Sequence, residues 1–440
     1  MVYVIVLLMG GLLFPFRTLM PELMFQLMLL PLSALLVILI AMFVSPEGSR
    51  MSRLLHRFSM RIGSRDLTLP VSAAFLALGL GLMLYENTLF RQFGYHLSPV
   101  TALVSLLVLT HILLAASRLA GGRFMGPAIL LCMTAMQMLS IFSFPLHPAR
   151  SDMLLLIQAA GERFLGGDSP YSIYVIDTEV MLTYLPGLWM TYLPSIALGI
   201  DVRFTNVLCL AVALAVILRT CRRLDPGRGG IVFVAAFFLN PWLMFRHDIY
   251  MPVFLLQLSL CFSLLMGNRI RTAILVFCWS LCTYQYSWII FPLFIALLYR
   301  MFGLRRALGA IVQAAAAALI LIVPFLLWAP DAMIQGLLRT WSTVYQIETY
   351  NLSYWILRII PIQGIKLLQI LLVALFCFFA CPRIRDMGGF FRGSVFVTLL
   401  FLFTSQLIWH YFFLIPSLFM LFHILSRRQI PQHGRQHRSA

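Results

Sequence analysis

Apolar residues run in long blocks along this chain, and polar ones come in short breaks between them. Residues 23–44, 97–116, 125–145 and 307–328 each approach the roughly 20 apolar residues that carry a helix across a bilayer. The pattern repeats to the C-terminus and predicts an all-α polytopic membrane protein of about 12–15 spans, some of them broken or re-entrant. No separate soluble domain fits between the blocks. Residues 1–14 lack the basic start and small-residue cleavage site of a signal peptide, so they read as a first, retained span.

The polar breaks divide into two kinds. Arginine clusters at Arg50/Arg53/Arg57/Arg61/Arg65, Arg118/Arg123, Arg219/Arg222/Arg223/Arg228, Arg269/Arg271, Arg300/Arg305/Arg306, Arg383/Arg385/Arg392 and from Arg427 onward follow the positive-inside rule and are placed in the cytoplasm. The stretches 86–96, 147–186, 246–250, 283–288, 330–361 and the region around 410 then fall on the opposite face. Two segments strain this layout. Residues 185–218 hold two apolar stretches parted by Asp201-Val202-Arg203, where the charge rule wants an odd number of crossings, so one stretch is expected to be re-entrant or interfacial. Residues 272–299 must cross out and back in two half-spans that meet at Cys282-Thr283-Tyr284-Gln285-Tyr286.

Composition fits the same picture. Of 440 residues, 61% are hydrophobic and 11% charged, far below the quarter or so of charged residues in a soluble globule. The net charge of +17 comes almost wholly from the loop arginines, which argues against a nucleic-acid partner. All eight cysteines sit in or beside apolar blocks without ligand spacing, so they read as packing residues. No DxD pattern appears, and neither a metal nor another cofactor is expected.

Chemistry-bearing residues concentrate in the stretch 147–186. Met153, Leu154, Ile157, Ala160, Gly161 and Phe164 recur at helical spacing after Ser151-Asp152, which predicts an amphipathic helix capped by Ser151 or Asp152 and stopped by Gly166-Gly167. A polar loop, 168–183, then leads back toward the membrane. For Asp152 two readings stand: an N-cap, worth about 1 kcal/mol, or a partly desolvated general base at the lipid-water boundary.

The order of motifs from here on resembles GT-C glycosyltransferases, closest to their bacterial polyprenyl-phosphate-mannose-dependent branch. A membrane-exit Asp152, a short helix, GGDSPYS, then TYLPGLWMTYLPSIALG with Arg203 opening the next helix looks like the family's first luminal loop. Asn240-Pro241-Trp242 followed by Arg246-His247-Asp248 resembles its second outer site. Tyr284-Gln285-Tyr286 sits where many members carry a lysine for the donor phosphate, TYNLSYWIL (349–357) resembles a later Asn- and Trp-containing segment, and His410-Tyr411 resembles an Arg-Tyr near the last span. The resemblance covers most of residues 140–425. It departs from the family at Leu185-Pro186, Gln285 and His410, where the pattern has Pro-Pro, Lys and Arg.

What the resemblance implies is a division into N-terminal spans (1–124) and a GT-C-like catalytic region (125–440) with outer loops 147–186 and 330–361. It implies an inverting enzyme of a bacterial inner membrane, active on the periplasmic or extracellular side. The enzyme would move mannose or another hexose or pentose from a polyprenyl-phosphate carrier to a hydroxyl of a lipid or glycan acceptor. Asp152 is then the catalytic base. Arg246, His247, Asp248, Gln285, Tyr286, Arg339 and His410 are candidates for the phosphate side, and Glu162, Arg163 and Tyr171 for the substrate surroundings. Competing readings are a transporter or flippase of a lipid-linked glycan, which should show internal repeats and mid-span charge, and an acyltransferase using His247 or His111.

Overall fold

The computed structural model describes residues 125–148, 151–224, 248–342, 362–405 and 410–427, with positions 234, 237, 238 and 243. The expected spans of 1–124, Arg246, His247 and the aromatic segment 343–361 lie outside the described residues, as do the side chains of Arg339 and His410. Two compact units emerge. One comprises Met1–Phe144, Cys221–Arg246 and Trp409–Ala440, the other Pro145–Thr220 and His247–Ile408.

In the first unit lie α1 (Met125–Ser143) and, near the chain's end, a 3-10 turn (His410–Phe413) running into a helix (Leu414–Arg427). Gln137 is fully buried and donates to the Leu243 carbonyl at 2.8 Å, the bond that a polar side chain in an apolar interior requires.

The second unit begins with α2 (Met153–Leu165), whose Leu154, Leu156, Ile157, Ala160 and Gly161 are buried along one face, as the spacing predicts. Gly167 at φ +88° ends it, with the Asp168 N–H returning to the Arg163 carbonyl at 3.1 Å, a conformation that glycine adopts without Cβ strain. The loop that follows is more ordered than its polarity implies. Ile173–Val175 (β1) pairs antiparallel with Glu179–Met181 (β2), adding a small ribbon to an otherwise helical chain. β-branched and aromatic residues on both sides of a tight Ile176-Asp177-Thr178 turn account for it.

The crossing question at 185–218 resolves at Pro186 and Pro194. Each opens a new helical piece in its first turn, so the first stretch breaks into α3 (Pro186–Trp189), a 3-10 turn (Met190–Tyr192) and α4 (Leu193–Ala197). Those pieces total 12 residues, about 18 Å of helix even if straight, against the ~30 Å of a hydrocarbon core. Only α5 (Arg203–Leu224) is long enough to cross.

Next come α6 (Met251–Met266), α7 (Ile270–Leu281) and α8 (Tyr286–Phe302). The last two are the half-spans expected to meet at 282–286. α9 (Leu304–Leu321) and α10 (Val323–Trp328) follow, separated at the Pro324 turn, then α11 (Pro330–Ser342), α12 (Ile362–Ala380) and α13 (Met387–Thr404). α6 lies along α7, and α8 packs on α9 and α13. By length and composition, three stretches among the described residues can cross a membrane: Arg203–Leu224, Leu304–Trp328 and Gly364–Arg383. Cys209, Cys221, Cys261, Cys278, Cys282 and Cys377 are buried and form no disulfide among the described residues.

Candidate functional site

Asp152 stands at the N-cap position of α2 but does not cap it. Its backbone is helical (φ −82°, ψ −12°) and its carboxylate makes no bond to the first-turn amides. The Ser151 hydroxyl accepts from the Met153 N–H at 3.3 Å instead. The capping role offered by the sequence therefore falls to Ser151. One side of Asp152 is open to solvent, and protein crowds the rest. That enclosure raises its carboxyl above the usual carboxylate range, offset in part by its own backbone N–H.

Tyr250 is an ionisable group that feels this charge. Burial lifts the Tyr250 hydroxyl well above its ordinary value, its bond to Tyr284 lowers it, and the negative charge of Asp152 raises it further. Tyr250 is placed by a chain of buried polar bonds. The Tyr192 hydroxyl donates to Asn206 Oδ1 at 2.6 Å, and Asn206 Nδ2 donates to the Ile249 carbonyl at 2.7 Å, with Tyr192 and Asn206 fully buried. The segment before α6 is thereby pinned to the first turn of α5.

Around Tyr250 the rings converge. Tyr184 meets it edge-on at 4.9 Å between centroids, and Tyr284 lies at 5.3 Å with the two hydroxyls 3.1 Å apart. Tyr284 stacks on Tyr286 at 4.9 Å, and Tyr286 meets the ring of Phe401 at 5.0 Å. Tyr171, buried to 3% exposure, donates to the Tyr184 carbonyl at 2.9 Å, tying the loop after α2 to this cluster.

Two close approaches hold the junction between the half-spans. The Gly187 N–H donates to the Cys282 carbonyl at 2.8 Å, and a Cβ at Gly187 would stand 2.7 Å from that same oxygen. Thr283 accepts from Gln257 Nε2 at 2.8 Å and donates to the Trp279 carbonyl, while Trp288 Nε1 donates to the Leu281 carbonyl at 2.9 Å. These bonds give the backbone carbonyls of Trp279, Leu281 and Cys282, at the break between the half-spans, partners within protein.

The sequence-derived candidates separate accordingly. Asp152, Tyr171 and Tyr286 belong to this cluster, and Asp248 is buried at 2% exposure two residues before Tyr250. Gln285 is exposed at the N-cap of α8. Glu162 and Arg163 point away from the cluster's bonds: Glu162 accepts from Gln158 at 2.8 Å, and Arg163 donates to the Ser169 carbonyl at 2.8 Å, both at an exposed surface. Arg339 lies in α11 and His410 in the 3-10 turn of the other unit. Arg203 is spent structurally, its guanidinium forked on the Asp201 carboxylate at 2.6 to 3.0 Å.

Tyr184, Tyr250 and Asn206 are the residues that sequence reading missed, and Tyr284 was named only as part of the half-span junction. For the tyrosines the one advance signal was polar aromatic rings recurring at the ends of apolar blocks; Asn206 carried none. Among the described residues no three His, Cys, Asp or Glu side chains gather as metal ligands would. Compared with family models, curated proteins and solved structures, the chain matches none.

Proposed function

We propose that this chain is a GT-C-like glycosyltransferase that moves a sugar from a polyprenyl-phosphate carrier to a lipid or glycan hydroxyl, with Asp152 as the general base. Asp152 carries the reading. Its carboxyl has no capping duty, is raised in pKa by enclosure, and lies close enough to Tyr250 of the tyrosine cluster for its charge to be felt there. A base for a hydroxyl must reach solvent or acceptor on one side and be partly desolvated on the other, and Asp152 meets both conditions. Aromatic faces backed by tyrosine hydroxyls suit a sugar, whose C–H faces stack and whose hydroxyls bond.

In this reaction the acceptor O–H gives its proton to the Asp152 carboxylate as oxygen attacks the anomeric carbon. The bond from that carbon to the phosphate oxygen breaks, the electron pair leaves with the phosphate, and the configuration inverts. On this reading the site opens to the periplasmic or extracellular side of a bacterial inner membrane, and lipid surrounds the apolar helices.

The test is turnover. Purified protein supplied with polyprenyl-phosphate mannose, other hexoses or pentoses, and candidate lipid or glycan acceptors should release polyprenyl phosphate and form an inverted glycoside. Movement of an intact lipid-linked glycan across vesicles without any bond cleavage would overturn the reading in favour of a flippase.

A further inference from the structure

The helices of the second unit bring three of their turns to one end, away from the tyrosine cluster. α8 and α13 run antiparallel: Tyr286 meets Phe401 at 5.0 Å, a Cβ at Gly393 would stand 3.5 Å from Leu293, and Phe294 meets Phe390 at 6.1 Å. From α6, Phe262 meets Phe390 and Phe391 at 5.7 and 5.2 Å, and from α7, Phe277 stacks on Phe294 at 4.1 Å. The α6–α7 turn, the α8–α9 turn at Gly303 and the α12–α13 turn, with its 3-10 piece Cys381–Arg383 packed on α8, therefore share that end. Phe254 of α6 meets Tyr284 at 4.8 Å at the other end.

Each turn carries arginine. Arg269 and Arg271 belong to the first, Arg300, Arg305 and Arg306 to the second, and Arg383 and Arg385 to the third, with Arg392 in the second turn of α13; all are exposed except the half-buried Arg306 and Arg392. The segments 267–271, 299–307 and 380–392 hold a single carboxylate, Asp386, and its Oδ1 accepts from the Gly389 N–H at 2.7 Å as the cap of α13. Arg300 lies over the Tyr299 ring at 5.7 Å and Arg383 donates to the Phe379 carbonyl, contacts that leave both charges in place. Arg392 Nε is buried without a hydrogen-bond partner, and among the described residues no carboxylate pairs with any of these arginines. Like charges gathered this closely repel one another and call for an anion.

What adjoins the arginines says which anion. From Arg305 the exposed face of α9 continues through Leu308 and Val312, and toward Arg383 that of α12 runs through Leu375, Phe378 and Phe379, each more than half exposed. The crossing stretches that hold α9 and α12 are only 11% and 17% buried. Cations at the head of bare apolar helices match an anion that carries acyl chains, and the guanidinium fork fits phosphate oxygens two at a time.

We propose that this arginine-bearing end binds the phosphates of anionic phospholipids, whose acyl chains lie along the exposed faces of α9 and α12. The lipid neutralises the gathered charge and covers the two crossing stretches that protein covers least. Nothing in this depends on the glycosyltransferase reading. Each arginine near such a headgroup is worth about fivefold in affinity.

The experiment titrates dioleoyl phosphatidylglycerol, and separately dioleoyl phosphatidylcholine, into the full-length protein in neutral detergent and counts bound lipids by native mass spectrometry. Phosphatidylglycerol should bind at least tenfold more tightly than phosphatidylcholine. R305Q/R306Q and R383Q/R385Q should each weaken phosphatidylglycerol roughly 20-fold. R163Q is the control, because its neighbour Phe164 meets Trp328 at the far end of the stretch that begins at Leu304, and it should bind as wild type does. Melting curves select the variants that fold, and R305Q and R383Q, about fivefold weaker each, replace a double variant that does not. Equal binding of the two lipids overturns the proposal, as does wild-type affinity in the arginine variants or an equal loss in R163Q. Displacement of phosphatidylglycerol by glycerol 3-phosphate at equal concentration also overturns it, since the end would then be a site for free phosphate.

Discussion

Helices α5 and α9 are both apolar enough to cross a membrane, yet among the described residues they are treated oppositely. Of the most apolar stretch of α5, 61% is buried, whereas in Leu304–Trp328, which contains α9, the share is 11%. Hydropathy does not separate them; polar side chains do. α5 starts with Arg203 forked on Asp201, Thr205 hydrogen-bonded to Ser195 at 2.6 Å, and Asn206 bridging Tyr192 to the Ile249 carbonyl. α9 and α10 carry Val312, Leu319, Ile320 and Leu327 at 63 to 78% exposure. Lipid is as apolar as leucine, so apolarity alone gives a helix no reason to seek protein, and specific polar bonds and close approaches decide what packs. The candidate site is built where those bonds concentrate.

That contrast can be broken by mutation. Asn206→Ala should have the largest effect on stability, because it strands the Tyr192 hydroxyl and the Ile249 carbonyl at about 1–3 kcal/mol each. A clear fall in the melting temperature of the detergent-solubilised protein is expected, and an unchanged one would mean that the polar chain does not pin α5. Gly187→Ala should follow, at about 1–3 kcal/mol, since its Cβ must displace the Cys282 carbonyl at the half-span junction. At the small end, Leu319→Ala on α9 should shift stability by no more than about 0.5 kcal/mol. A loss there as large as at Asn206 would show that α9 is covered by protein after all.

Much of the helical layout was legible because periodicity and charge are local. The buried face of α2, the stop at Gly167, the start of α5 at Arg203 and the break between α7 and α8 all follow from neighbours in sequence. The site itself was only partly legible. Asp152 stood out by position, but Tyr250 and Tyr284 meet across 34 residues, and Asn206 reaches Ile249 across 43, distances at which no periodic pattern speaks. Arg203, named in the sequence only as the start of a helix, proves to be forked on Asp201 two residues away. The prolines at 186 and 194 were visible throughout, yet which apolar stretch would fail to cross became plain only when the helix pieces they open proved too short.

The most direct measurement compares wild type and Asp152→Asn in glycosyl transfer from a polyprenyl-phosphate sugar across pH, with melting temperature as the control for folding. Asp152 must be ionised to accept a proton, so the wild-type rate should rise with pH along an acid limb whose midpoint lies above the ordinary carboxylate value of 3.8. The variant should lose about 10²- to 10⁴-fold in rate and the acid limb with it, at unchanged stability. Full activity in Asp152→Asn, or an acid limb that survives the substitution, would contradict the account.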